Sequence, residues 1–191
     1  MRYRINHQPG FTSLWVIIAI NILFYIITFI APDLRLFFGL IPAAFWDRPW
    51  TLITSMFVHA GLWHVMANMF TLFFFGRYLS MLVGEKRFLM VYFVGGILGG
   101  IFYILLAQPF SIAVGASGAV FAIGGALAVM RPKIKVLVFP IPAPLPLWVA
   151  IIGGFFIISF LPNVAWQAHL GGLVVGLISG YYFRKRERRF F

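Results

Sequence analysis

The sequence has no cysteine, which excludes disulfides, thiolate metal sites and a cysteine nucleophile. It has little charge: 10% of its 191 residues are Asp, Glu, Lys or Arg, against about 25% in an ordinary soluble domain. Acid is scarcest. Four Asp and Glu stand against fifteen Lys and Arg, a formal net charge of +11. No glycine repeat of period three is present, so a collagen-like chain is excluded too.

Apolar residues are what it has, at 62% of the chain. That is several times the ~20 residues one membrane span needs, and it excludes both a soluble domain and a disordered chain. The basic residues form short clusters between apolar runs, the largest at Arg184, Lys185, Arg186, Arg188 and Arg189. Clusters of this kind meet an anionic membrane face. They do not form the continuous stripe that would suggest nucleic acid as a partner.

Six segments have the length and character of spans, at about 13–31, 61–82, 87–107, 115–130, 143–161 and 166–183. The expectation is an all-α, polytopic membrane protein forming a single domain over residues 1–191. The first segment is read as a retained helix, because its apolar run exceeds the ~7–15 residues of a signal peptide. The apolar residues 110–114 before the short fourth segment read as non-helical backbone, tolerated only where protein or a water cavity covers it. The fourth connection carries Pro140, Pro142, Pro144 and Pro146, a spacing no helix runs through.

The loops give an orientation. Arg2 and Arg4, then Arg77, Lys86 and Arg87, then Arg131, Lys133 and Lys135, and the five of the C-terminal cluster lie on one side. Only Arg35 and Arg48, both in the first loop, lie on the other. That asymmetry predicts a multi-pass protein of the cell membrane with both termini cytoplasmic. The long first loop, with Phe45, Trp46 and Trp50, is suited to the membrane interface.

Polar residues inside spans are costly and call for a reason. The span interiors hold Asn21, His64, Asn68, Ser117, Ser159 and His169, and no central Asp or Glu. By the loop orientation, His64, Ser117 and His169 all fall in the outer half of the membrane. His64 and Asn68 are four apart and share a helix face. Ser117 sits between Gly115 and Gly118, with Gly124 and Ala128 further along its helix. His169 is followed by Gly172, Gly176 and Gly180. Small-residue stripes allow close helix packing, so the fourth and sixth spans are expected to meet along them. Ser117 and His169 would then face each other.

A serine beside a neutral histidine is a nucleophile with its general base. No intramembrane carboxylate is available to complete a triad, which leaves a dyad. Phe121, four residues after Ser117, is placed to hold the imidazole by ring packing. The Ser117 N–H and the side chains of His64 and Asn68 are candidate oxyanion donors. A zinc protease would need His-Glu-x-x-His or an equivalent; the pair His59 and His64 has neither the spacing nor the Glu. An aspartyl protease would need two carboxylates in the bilayer. No cofactor or metal is expected. Non-catalytic alternatives are a membrane adaptor that hands over other helices and, less favoured, a small transporter, which would need a polar lining through the full depth.

At these residues the chain resembles the rhomboid family of intramembrane serine proteases, in its minimal six-span form. His59-x4-His64-x3-Asn68 is similar to the family's second-span motif, Gly115-x-Ser117-Gly118 to its nucleophile motif, and Ala168-His169-x2-Gly172-x3-Gly176 to its sixth-span motif. The resemblance implies a rhomboid-like bundle with a membrane-embedded first loop. It implies Ser117 and His169 as catalytic residues and His64, Asn68 and the Ser117 backbone around the oxyanion. It also implies a fifth span that shifts to admit substrate, and single-span membrane proteins as substrates, cut near the outer face. Two departures stand out. Many members carry Trp-Arg late in the first loop, where Thr51 follows Trp50 here, and Phe121 occupies a position that is often Tyr.

Overall fold

The computed structural model describes residues 12–138 and 141–187. Arg2, Arg4, Pro140, Arg188 and Arg189, which entered the charge and proline arguments, lie outside the described residues. The chain is a mostly helical membrane bundle. Its helices are α1 (Thr12–Ile30), α2 (Leu34–Phe38), α3 (Thr51–Thr54), α4 (Leu62–Thr71), α5 (Arg77–Val83), α6 (Glu85–Leu106), α7 (Ser117–Met130), α8 (Leu147–Ser159) and α9 (Trp166–Glu187). A π-helical turn, Leu72–Gly76, joins α4 to α5, so Leu62–Val83 is one continuous helical run. That run, α1 and α6 are each long and apolar enough to cross a membrane. α7 and α8 are shorter apolar helices. The lipid-facing character is plain in the exposed side chains, among them Ile30, Phe70 and Leu105. In water such a surface would be costly; in lipid it is the solvated face.

α7 is the centre of the bundle. Ten of its fourteen residues are buried, between α6, α8 and α9. Small residues make this possible. A Cβ on Gly172 would run into the Gly118 carbonyl, one on Gly176 into the Ala122 carbonyl, and one on Gly180 would lie 2.5 Å from the Ala126 carbonyl. The register advances by four residues on both helices, so α7 and α9 run parallel in backbone contact. Ser117 and His169 begin this register at the same end.

The α9 stripe is therefore the one expected, but its partner on α7 is not. Gly118, Ala122 and Ala126 receive it, whereas Gly124 faces α8, where a Cβ would meet Ile151 Cδ1 at 2.6 Å. The reason is that small residues lie on several faces of α7. Spacing alone cannot choose among three neighbours.

The loops carry the remaining differences. The helix expected from 143 begins at Leu147, because the residues ahead of Pro144 and Pro146 are biased to extended backbone and Pro146 itself has ψ 139°. Instead β1 (Lys135–Val136) pairs antiparallel with β2 (Leu145–Pro146) in a short hairpin. The Leu147 N–H donates to the Ile134 carbonyl at 2.7 Å, satisfying one of the helix's first N–H groups. Residues 110–114 are non-helical, and Leu40 and Ala113 exchange backbone hydrogen bonds of 3.0 and 2.8 Å. The first loop is fastened to α2 by Arg48 Nη1 on the Leu36 carbonyl, Trp50 Nε1 on the Phe37 carbonyl and Thr54 Oγ1 on the Phe38 carbonyl. Arg48 and Trp50 thus anchor this loop without a Trp-Arg pair.

Candidate active site

Ser117 is the first residue of α7, and its approach is set by Gly115. The Gly115 N–H donates to the Ser55 carbonyl at 2.9 Å, which ties the approach to the end of the first loop. Gly115 has φ +124°, a conformation L side chains rarely adopt. A Cβ there would also lie 2.8 Å from His64 Nε2 and 3.7 Å from Ser117 Oγ. Imidazole edge and hydroxyl therefore flank one point, and only glycine leaves it open.

Across the α7–α9 contact, Ser117 Oγ lies 2.8 Å from His169 Nε2. Fifty-two residues separate the two in sequence. His169 is 5% exposed and Ser117 half-buried. The other ring nitrogen, Nδ1, is buried with no hydrogen-bond partner among the described residues. No carboxylate holds it. The Phe121 ring packs against the imidazole, with centroids 4.7 Å apart and planes tilted by 34°. Phe121 is itself held edge-on by Phe155 of α8, with centroids 6.0 Å apart.

His64, near the start of α4, completes the group. The Ala60 N–H points at its Nδ1 from 3.4 Å, a long hydrogen bond that favours the tautomer with the proton on Nε2. That proton faces the Gly115–Ser117 side. His59 packs edge-on against His64, centroids 5.0 Å apart, and its own Nδ1–H donates to the Phe57 carbonyl at 3.2 Å. Burial, and then the neighbouring His64, push the His59 pKa down to about 3, so this ring is neutral. Asn68 is buried one turn beyond His64 and donates Nδ2–H to the His64 carbonyl at 2.8 Å. One N–H of that amide remains beyond this bond.

The structure thus brings together Ser117, His169, His64, Phe121, Gly115, Gly118 and Gly172. His59 packs against His64, Asn68 lies one turn further along α4, and Gly176 lies a turn beyond Gly172 as a packing residue. Asn21 and Ser159 are elsewhere. Asn21 Nδ2 donates to the Ile17 carbonyl and lies 3.5 Å from the Tyr92 hydroxyl, while Ser159 donates to the Phe155 carbonyl. Among the described residues, no group of three His, Asp or Glu is placed to hold a metal ion. Beside Ser117 a small cavity of about 20 Å³ is lined largely by small residues such as Gly100, Ala113, Ala165 and Ala168. Sequence reasoning did not find Ser55, Ala60 or Phe155. The first two act through backbone atoms, which residue type does not signal, and Phe155 looks like any lipid-facing phenylalanine.

Comparison with known proteins agrees with this architecture. Residues 47–186 match the Rhomboid domain. The chain is 32% identical to Rhomboid protein 1, mitochondrial, of Saccharomyces cerevisiae, over 73% of this chain and 44% of that protein. It is 33% identical to the Bacillus subtilis rhomboid protein YdcA, over 74% of this chain and 71% of that one. It is also 32% identical to the Arabidopsis thaliana protein named Inactive RHOMBOID-like protein 8, over 65% of this chain and 35% of that one. The chain spans less than half the length of the yeast and plant relatives. With the motif-bearing helices inside the matched region and three relatives above 30% identity, the chain belongs to the rhomboid family of membrane proteins.

Proposed function

We propose that this protein is an intramembrane serine endopeptidase working through a Ser117–His169 dyad. The observation that carries the reading is the 2.8 Å approach of Ser117 Oγ to His169 Nε2, between separate helices and largely out of water. In the proposed reaction Oγ attacks a substrate carbonyl carbon as its proton passes to Nε2. The resulting oxyanion is held by the Ser117 N–H, which has no intrahelical acceptor at the start of α7, and by His64 Nε2–H and Asn68 Nδ2–H. Nε2–H then protonates the leaving amine as the C–N bond breaks, giving an acyl-enzyme. A water, deprotonated by the same nitrogen, releases the acid product and restores Ser117.

No carboxylate is needed. An Asp in a triad orients the imidazole and stabilises its charge; Phe121 supplies the orientation here. A membrane helix has its backbone bonded internally, so substrate must unwind before its carbonyl reaches Ser117. Single-span proteins with helix-weakening residues near the cut fit best. The small-residue lining beside Ser117 favours a small side chain next to the scissile bond. We place the protein in a bacterial plasma membrane, both termini cytoplasmic and the site opening outward, as a single catalytic domain. Substrate enters past α8, which has an open flank: Phe160 at its end is 87% exposed, and nothing lies within 4 Å of a Cβ on Gly153 or Gly154.

The rival is a rhomboid-like adaptor, the reading favoured by similarity to a relative named as inactive. Proteoliposomes carrying a labelled single-span substrate separate the two. Cleavage should fall by roughly 10⁴-fold or more in Ser117→Ala and in His169→Ala. Full activity in either variant would reject the dyad.

A further inference from the structure

Away from the dyad, the opposite end of α7 gathers charge and apolar surface in one place. The β1–β2 hairpin leaves α7 directly, and α9 ends beside it. Arg184 Nη1 donates to the Val129 carbonyl at 3.2 Å, which sets the basic end of α9 against the root of the hairpin. Lys133 and Lys135 on the hairpin, and Lys185 and Arg186 on α9, are exposed. Arg186 lies over the Tyr182 ring, 5.1 Å from its centroid.

Alongside Lys133 and Lys135 the hairpin carries exposed apolar side chains: Ile134 at 37%, Leu137 at 78% and Ile141 at 38%. From Val136 to Leu147 the sequence carries no charge. Pro142, Pro144 and Pro146 lack N–H groups, which lowers the cost of placing this backbone at an apolar boundary. Cations beside exposed aliphatic side chains, on a backbone poor in donors, match the chemistry of a bilayer surface: phosphate for the cations, acyl chain for the rest. A soluble acidic partner would match only the first.

We infer that the β1–β2 hairpin and the end of α9 form one surface that selects anionic phospholipid headgroups over zwitterionic ones, with Leu137 and Ile141 entering the headgroup–acyl boundary. The hairpin also carries the start of α8 through Leu147 N–H on the Ile134 carbonyl and Trp148 N–H facing the Pro132 carbonyl, so a lipid held here lies against the base of that helix. The inference stands apart from the catalytic reading, since none of these residues touches Ser117 or His169.

Trp148, 52% exposed at this base, is a built-in reporter. Full-length protein is reconstituted in phosphatidylcholine vesicles containing phosphatidylglycerol, with bromine on one lipid or the other. The quenching difference between the parent and Trp148→Phe isolates the Trp148 signal. Brominated phosphatidylglycerol should quench it about threefold more per mole than brominated phosphatidylcholine, and about 0.5 M salt should remove the excess without any mutation. K133Q/K135Q/K185Q should remove it at low salt, K86Q/R87Q should keep it, and Ser117→Ala should behave as the parent. Equal quenching by the two lipids, an excess that survives salt or the triple substitution, or an excess equally lost in K86Q/R87Q would overturn the inference.

Discussion

Gly172 of α9 rests directly on the Gly118 carbonyl of α7, one residue after Ser117 and three after His169. This backbone contact sets the height and separation of hydroxyl and imidazole. Gly172→Val should therefore act twice. Overpacking costs about 1–3 kcal/mol, seen as a lowered melting temperature in detergent, and the helices move apart. Substrate cleavage should fall by far more than the unfolded fraction explains. Normal activity at normal stability would show that the contact does not set the site.

Phe121 packs against the His169 ring with centroids 4.7 Å apart, and His169 Nδ1 has no hydrogen-bond partner among the described residues. An aromatic contact of this kind is worth about 0.5–1.5 kcal/mol. Phe121→Ala should lower kcat by up to about tenfold, with KM little changed, and Phe121→Tyr should restore it. A KM effect alone, or no rescue by Tyr, would assign Phe121 to substrate contact or to packing.

His64 is proposed to act only once negative charge develops on the substrate oxygen. His64→Ala should lower kcat roughly 10²–10³-fold while leaving substrate binding to the Ser117→Ala background unchanged. Gly115→Ala should reproduce much of that loss, because its methyl group would occupy the point between His64 Nε2 and Ser117 Oγ. Loss of substrate binding in the His64 variant would contradict the role.

His59 is buried neutral, with its pKa lowered to about 3 from an ordinary 6.5. Below pH 6.5 the unfolded chain takes up a proton at this residue that the folded one refuses. Its contribution to stability is therefore complete above pH 6.5 and is lost as pH falls towards 3. Melting temperatures from pH 7 to pH 4 should drop less steeply in His59→Asn than in the parent. Parallel curves would show that His59 does not titrate with unfolding.

Much of the fold and site is legible in the residues and some is not, for physical reasons. Abundant apolar residues and scarce charge are enough to point to a helical membrane bundle. Glycines at fixed spacing after His169 point correctly to the packed face of α9, because the residues around them are larger. The same reasoning fails on α7, where Gly118, Ala119, Ala122, Gly124, Gly125, Ala126 and Ala128 fall on more than one face, so spacing does not say which neighbour each one meets. The hairpin ahead of α8 has only two pairs of residues, too few for an alternation, and the π-helical turn at Leu72–Gly76 has no pattern distinct from an α-helix. What holds His64 and Gly115 in place comes from backbone groups of Ala60 and Ser55, which no side-chain motif encodes.

Whether His169 activates Ser117 can be read from the rate at which a fluorophosphonate modifies the protein in detergent, followed by intact mass and peptide mapping. The dyad predicts one adduct, on Ser117, formed at least about 10²-fold more slowly in His169→Ala and not at all in Ser117→Ala. Modification at another residue, or an undiminished rate without His169, would contradict it.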